Sequence, residues 1–230
     1  MSSAAASGLL RPMPFGRLAP RDVADPVLEP LWEGRRVVVG VTLGTARLAD
    51  EDGEPVEGFD GLRAEIVRAT SADRVLLDGY LVPRFRDTTG LAALIGDGTV
   101  TSPASIGRQL FLGSRSADRE DRRDALAASL ARRSVEPRED ESAFVAIDLL
   151  ELEGEALLDV PLLERKRLLD SVVADTETVR RTTIVRPPIE AWFGQWRALG
   201  FAAYAVKATN GRYTPGEPSR DWAIGAIPRR

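Results

Sequence analysis

The sequence predicts one domain of mixed strands and helices, a pattern that agrees with an α+β class without selecting it alone, and three observations lead there. Short β-branched or apolar runs bounded by turn residues recur along the chain, as strands require. Between them lie segments whose apolar residues fall at helical spacing. With 230 residues, 43% of them apolar, the chain is long enough to bury one good core.

Taken in order, the opening Met-Ser-Ser-Ala-Ala-Ala-Ser-Gly has neither the basic start nor the apolar centre of a signal peptide, so residues 1–12 read as a disordered arm. Arg36-Arg-Val-Val-Val-Gly-Val-Thr42 is rich in β-branched residues, and a strand is expected over 36–43. Apolar spacing in Phe59-Asp-Gly-Leu-Arg-Ala-Glu-Ile-Val-Arg68 predicts a helix over 59–70. Further strands are expected at 74–83, 143–150, 181–186, 202–208 and 220–227, and further helices at 117–133, 162–175 and 188–199. The last helix carries Ile189, Trp192, Phe193 and Trp196 on one face, read as core, and Gly200 follows as its cap. The stretch from Arg84 to Ser116 is rich in Gly, Thr and Ser and is expected to be a mobile loop region.

Composition excludes several chemistries. With no cysteine there are no disulfides or thiolate metal sites, and with no histidine there is no Ser-His-Asp hydrolase. Absence of cysteine fits a cytoplasmic protein most simply. No apolar run is long enough to span a membrane. Net charge is −4 with a pI near 5.2, and basic residues alternate with acids, as in Ser116-Ala-Asp-Arg-Glu-Asp-Arg-Arg-Asp124. Tight autonomous DNA binding needs cations gathered on one face, so weak or no DNA binding is expected. The chain has two lysines. Lys166 lies in Leu163-Glu-Arg-Lys-Arg-Leu-Leu169, read as the solvated face of an amphipathic helix, and Lys207 closes an apolar strand, where it is expected to point into a pocket.

Glu29-Pro-Leu-Trp-Glu-Gly-Arg-Arg36 resembles the adenylation motif of ATP-dependent DNA ligases, in which a lysine is followed by an aromatic residue, Asp, Gly, any residue and Arg. Leu31 stands at the lysine and Glu33 at the Asp, whereas Gly34 and Arg36 are in place. The resemblance continues through a turn at Asp50-Glu51-Asp52-Gly53, where acids replace a Ser-Arg pair, and through Val75-Leu-Leu-Asp-Gly-Tyr-Leu-Val82. It then takes in Ala143-Phe-Val-Ala-Ile-Asp-Leu-Leu150 with Pro161-Leu-Leu-Glu-Arg-Lys-Arg-Leu-Leu169, Gly200-Phe-Ala-Ala-Tyr-Ala-Val-Lys207, and Tyr213-Thr-Pro-Gly216 with Ser219-Arg-Asp-Trp222. These pieces cover roughly residues 10 to 227.

The resemblance implies a nucleotidyltransferase fold, the DNA ligase adenylation domain: antiparallel sheets flanked by helices around a central cleft, with a second short strand after the first. It implies one such domain over 13–230 and no OB-fold domain in this sequence. It also assigns pocket positions. The stacking aromatic falls at Ile147, the ribose- and metal-binding glutamates at Tyr80 and Ala202, and two triphosphate lysines at Ile224 and Ala226. Leu31, Ile147 and Ile224 read as core residues. Asp148 reads as a hydrogen-bonded turn acid rather than a metal ligand, and Arg36 either as a strand-edge arginine or as a vestigial phosphate contact. Leucine has no lone pair with which to attack ATP. The expectation is therefore a ligase-like protein that has lost the adenylated lysine and most of its pocket, with no metal and with ATP and Mg bound weakly at most. It would serve as a non-catalytic binding or regulatory protein with a partner in DNA repair. Two alternatives remain: an active ligase or nucleotidyltransferase using Lys207 as nucleophile, and an interaction module outside nucleic-acid biology.

Overall fold

The computed structural model describes residues 9–84 and 138–228. The expected helix at 117–133, most of the loop region after Arg84, and residues 1–8 lie outside them. Nine strands and three α-helices are present among the described residues: β1 (Pro26–Pro30), β2 (Arg35–Thr42), β3 (Thr45–Ala49), α1 (Asp60–Ala69), β4 (Arg74–Pro83), β5 (Ser142–Leu152), β6 (Glu155–Ala156), α2 (Leu162–Val172), β7 (Val179–Arg181), α3 (Glu190–Ala198), β8 (Ala203–Ala208) and β9 (Trp222–Ala226). The fold class is α+β.

Two sheets face each other. The smaller has the order β1-β8-β9, antiparallel throughout. The larger runs β3-β2-β4-β5-β6, antiparallel, with β7 added parallel to β5. Helices cover the outer faces. Leu62, Ile66 and Ala69 of α1 and Leu169 of α2 pack with Val37, Val39, Leu77, Leu81 and Phe144 of the large sheet. Trp196 of α3 packs with Leu28, Val206 and Ala223 of the small one. Period-two alternation in β2 and β4, and in β5 apart from its register shifts at Ile147 and Leu150, sends every second residue outward into that helix-backed core and the rest inward toward the small sheet. Burial of each such Val, Leu or Phe contributes about 1.5–3 kcal/mol. No helix of the described residues is long and apolar enough to cross a membrane.

Gly79 of β4 marks a close backbone approach in the large sheet. A Cβ there would stand 2.4 Å from both the Phe144 ring and the Val145 carbonyl oxygen, and register shifts flank it on the Asp78 side. The neighbouring backbone is held by ladder bonds and has nowhere to move. Gly79→Ala is therefore expected to destabilise by about 1–3 kcal/mol, as overpacking does, read as a lower urea midpoint at unchanged slope.

Three sequence expectations need correction. Strand β1 was not among the expected strands. The 181–186 strand shrinks to Val179–Arg181, because Thr182 N–H turns to the Ala146 carbonyl (2.9 Å) and Val185 makes only an isolated bridge to Leu28. Residues 9–11, expected within a disordered arm, are packed: Leu9 and Leu10 lie on the inner core around Met13, Leu76 and Trp222, and Gly216 N–H bonds the Arg11 carbonyl (3.2 Å).

Candidate functional site: the cleft between the sheets

Register decides which side chains meet in the cleft. In the small sheet Glu29 pairs with Ala205, Ala205 with Ile224, Lys207 with Val27 and Trp222, and Ala203 with Ala226. Paired residues share a face, so Leu31, Lys207, Ile224 and Ala226 all lie on the inner face with Glu29 and Trp222. Leu31 is buried against Ala203, Ala205, Phe15 and Ile224. Across from them, Tyr80, Val82, Ala143, Val145 and Ile147 form a second apolar wall, with Trp32 packed on it. Ala226 is exposed at the end of β9, and Ala202 is half-buried immediately before β8, its carbonyl accepting the Ile227 N–H (2.9 Å). Glu33 is half-buried between β1 and β2, and Glu51 is exposed in the turn after β3. Gly34 is held to glycine by packing, since a Cβ there would come 2.1 Å from the Leu81 carbonyl oxygen.

The cleft floor carries two arginine–aspartate pairs. Arg36 Nε and Nη2 donate to Asp78 (3.0 and 2.6 Å), and the Tyr213 hydroxyl donates to the same carboxylate (2.8 Å). Its guanidinium lies 5.6–5.8 Å from the ring centres of Phe15, Tyr80 and Trp222. Arg36 is thus neither a strand-edge arginine nor open toward a phosphate. Although burial opposes its charge, Asp78 overrides and holds Arg36 well above its ordinary value. One strand away, Asp148 accepts from Arg165 Nε and Nη2 (2.9 and 2.7 Å) and from the Leu149 N–H (2.9 Å). Asp78 and Asp148 are directly opposite each other in the β4–β5 pair. Two carboxylates so close would repel; an arginine bound in bidentate geometry to each removes that penalty.

Both lysines converge on Glu29. Lys207 Nζ donates to Glu29 Oε2 (3.0 Å) and lies 4.1 Å from the Trp222 ring centre. Lys166 Nζ approaches Glu29 Oε1 at 2.6 Å as an ion contact, while its hydrogen bond goes to the Ile147 carbonyl (2.6 Å). The expectation that Lys166 faces solvent is overturned: it is 4% exposed, and its neighbour Arg165 is fully buried. Glu164 and Arg167 are the residues on the solvated face.

Burial pushes the Lys207 amine down to about 8 from 10.5, with Glu29 opposing the shift. Between those values an unfolded chain holds the proton that the folded chain releases, so stability rises with pH. Tyr80 works the other way: burial pushes its hydroxyl from 10.0 up to about 12, with Arg36 opposing. Above pH 10 the folded chain keeps a proton the unfolded one loses, and stability falls. The contribution of these two groups to stability is therefore expected to rise from about pH 8 and to fall above pH 10. Urea titrations across that range check it, and a steady decline from neutral pH upward contradicts it.

Comparison with known proteins agrees with this architecture. No protein-family model matches the chain. A curated DNA ligase from Methanoculleus marisnigri is 33% identical over 78 residues, 34% of this chain and 14% of that protein. Among solved structures, the ligase domain of M. tuberculosis LigD has a TM-score of 0.60 at 22% identity, covering 94% of this chain and 59% of that one. A mycobacterial DNA ligase D complexed with ATP and MES has a TM-score of 0.59 at 21% identity, covering 93% and 58%. A Lig E DNA ligase structure aligns over 96% of this chain and 69% of its own at a TM-score of 0.50 and 13% identity. The chain spans less than two thirds of the length of the LigD structures and a seventh of the curated ligase. The fold is that of the adenylation domain of ATP-dependent DNA ligases.

Four residues central to the cleft were not identified from sequence as part of it: Glu29, Asp78, Lys166 and Trp222. Glu29 had a usable signal, being an acid in an apolar run two positions before Leu31. Among the described residues, no group of three or more acids is placed to hold a metal ion.

Proposed function

We propose that this chain is a DNA ligase-like domain that works without nucleotide chemistry, as a binding or regulatory component of DNA repair. The observation that carries this reading is the commitment of the cleft's cations. Arg36 is bonded to Asp78, and both lysines are held by Glu29. A triphosphate needs such cations and oriented donors to offset its charge, and here they already neutralise internal carboxylates. Leu31, at the position the resemblance gives to the nucleophile, offers only an alkyl surface. The DNA-linked part of the reading rests on the neighbours, which are DNA ligases by name. The partner would be a protein of the repair or processing machinery, with DNA touched weakly or not at all.

The second reading, an active nucleotidyltransferase using Lys207, has one observation in its favour. An amine brought down to about 8 is neutral more often than an ordinary lysine, and only the neutral amine attacks. Against it, Lys207 is fully buried and ion-paired. It also lies four residues along β8 from Ala203, which accepts the Leu31 N–H (3.1 Å). At about 3.3 Å per residue that is about 13 Å from the motif position.

Calorimetric titration with ATP and magnesium tests the proposal. Binding no tighter than about millimolar is expected, where the binding free energy is about −4 kcal/mol. Leu31→Lys is expected not to restore adenylation, because the supporting cations stay engaged. Micromolar binding by the unaltered protein, or adenylation of the variant, would overturn the reading.

A further inference from the structure

The chain's basic residues are arginines everywhere except at Lys166 and Lys207, and these two meet at one carboxylate. They come from different layers. Lys207 belongs to β8, beside Glu29 of β1 in the small sheet, whereas Lys166 belongs to α2 and bonds the β5 backbone at Ile147. Their position in the cleft is specific. At the depth of Trp222 the two sheets share one apolar cluster, with Trp222 against Val38 and Leu76. Toward Leu31 the walls separate into two clusters, Leu31 with Ala203 and Ala205 on one side and Tyr80 with Ile147 on the other. Glu29 pairs with Ala205, one face-repeat from Lys207 and one from the Leu31 end. The triad therefore stands where apolar contact between the sheets gives out.

We propose that Glu29, Lys166 and Lys207 form a charge latch that closes the small sheet onto the α2–β5 side of the cleft, and that neutralising Glu29 opens the cleft and bares both amines. Lys207 faces Glu29 from β1, Lys166 from α2, Asp148 from β5 and the Trp222 ring from β9. Asp148 is engaged by Arg165, so Glu29 is the one carboxylate bonded to the two amines. Without its charge, two buried cations face each other uncompensated, which water relieves only by entering. This inference rests on placement and holds whether or not the cleft takes nucleotide.

The test labels the full-length protein with an acetyl N-hydroxysuccinimide ester at neutral pH and follows Lys166 and Lys207 by peptide mass mapping. In the unaltered protein both are expected to react at least about a hundredfold slower than in guanidinium-unfolded protein, because reaction waits on opening. Glu29→Gln should raise both rates about tenfold or more while cooperative unfolding is retained. Lys166→Met keeps a balanced Glu29–Lys207 pair but cuts the tie between the sheets, so Lys207 should still accelerate. Lys207→Met keeps the tie, so Lys166 should stay protected. Lysines reacting at the unfolded rate in the unaltered protein overturn the latch. Full protection persisting in folded Glu29→Gln does so as well. If Glu29→Gln does not fold, Lys166→Met decides, and unchanged protection of Lys207 there counts against the proposal.

Discussion

Asp78→Ala is expected to lower the unfolding free energy by about 3–5 kcal/mol, the cost of leaving a buried charge without its partner. Asp78 is fully buried and receives two bonds from Arg36 and one from Tyr213. Its loss strands the Arg36 guanidinium, which is about 5% exposed and walled by three aromatic rings. Cation–π contact returns about 1–2 kcal/mol in a desolvated setting, too little to offset an unpaired charge. The double variant Arg36→Met with Asp78→Leu removes both charges and keeps most of the volume, so it should lose far less than the single change. Urea unfolding of both proteins decides this. If the double variant is as unstable as Asp78→Ala, packing rather than charge pairing holds the cleft floor.

Trp222→Ala has a comparable expected effect of about 3–5 kcal/mol, the usual cost of removing a buried aromatic. Trp222 is fully buried among Met13, Val38, Leu76, Leu150 and Tyr213, so its removal leaves a void between the two sheets. It also takes away the ring beneath Lys207 and one face of the Arg36 cage. Trp222→Phe keeps a smaller π-face at the same place and should recover roughly half of the loss. Denaturant midpoints at constant slope measure both. Equal losses for Phe and Ala would contradict this, since Phe restores both a π-face and much of the buried volume.

The sequence made the large sheet legible because its strands advertise themselves. The expected 36–43, 74–83 and 143–150 became Arg35–Thr42, Arg74–Pro83 and Ser142–Leu152, since Val-rich runs bounded by turn residues have few other solutions. Strand β1 was hidden for a physical reason. It begins and ends with proline and has a glutamate next to its last residue, which propensity counts against a strand. Proline is tolerated because β1 is the edge of its sheet, and edge position is a tertiary fact. The Lys166 error has the same origin. Leu162, Arg165, Lys166 and Leu169 are the buried residues of α2, at the i, i+3, i+4, i+7 spacing of an inward face. Two cations at the centre of that stripe made it look solvated, because hydropathy does not see the carboxylates awaiting them on other strands. Pairings such as Arg36–Asp78 and Lys207–Glu29 join residues 42 and 178 positions apart, and no local pattern encodes them. Through their likeness to the ligase motifs, sequence did single out Leu31, Tyr80, Ile147 and Lys207, which lie on the facing walls of the cleft.

The central claim is that the cleft no longer performs adenylyl transfer, and intact-mass spectrometry after incubation with ATP and magnesium or manganese tests it most directly. The account predicts a mass unchanged from that of the untreated protein. A gain of one AMP, lost again in Lys207→Ala, would contradict it and assign the chemistry to the buried lysine.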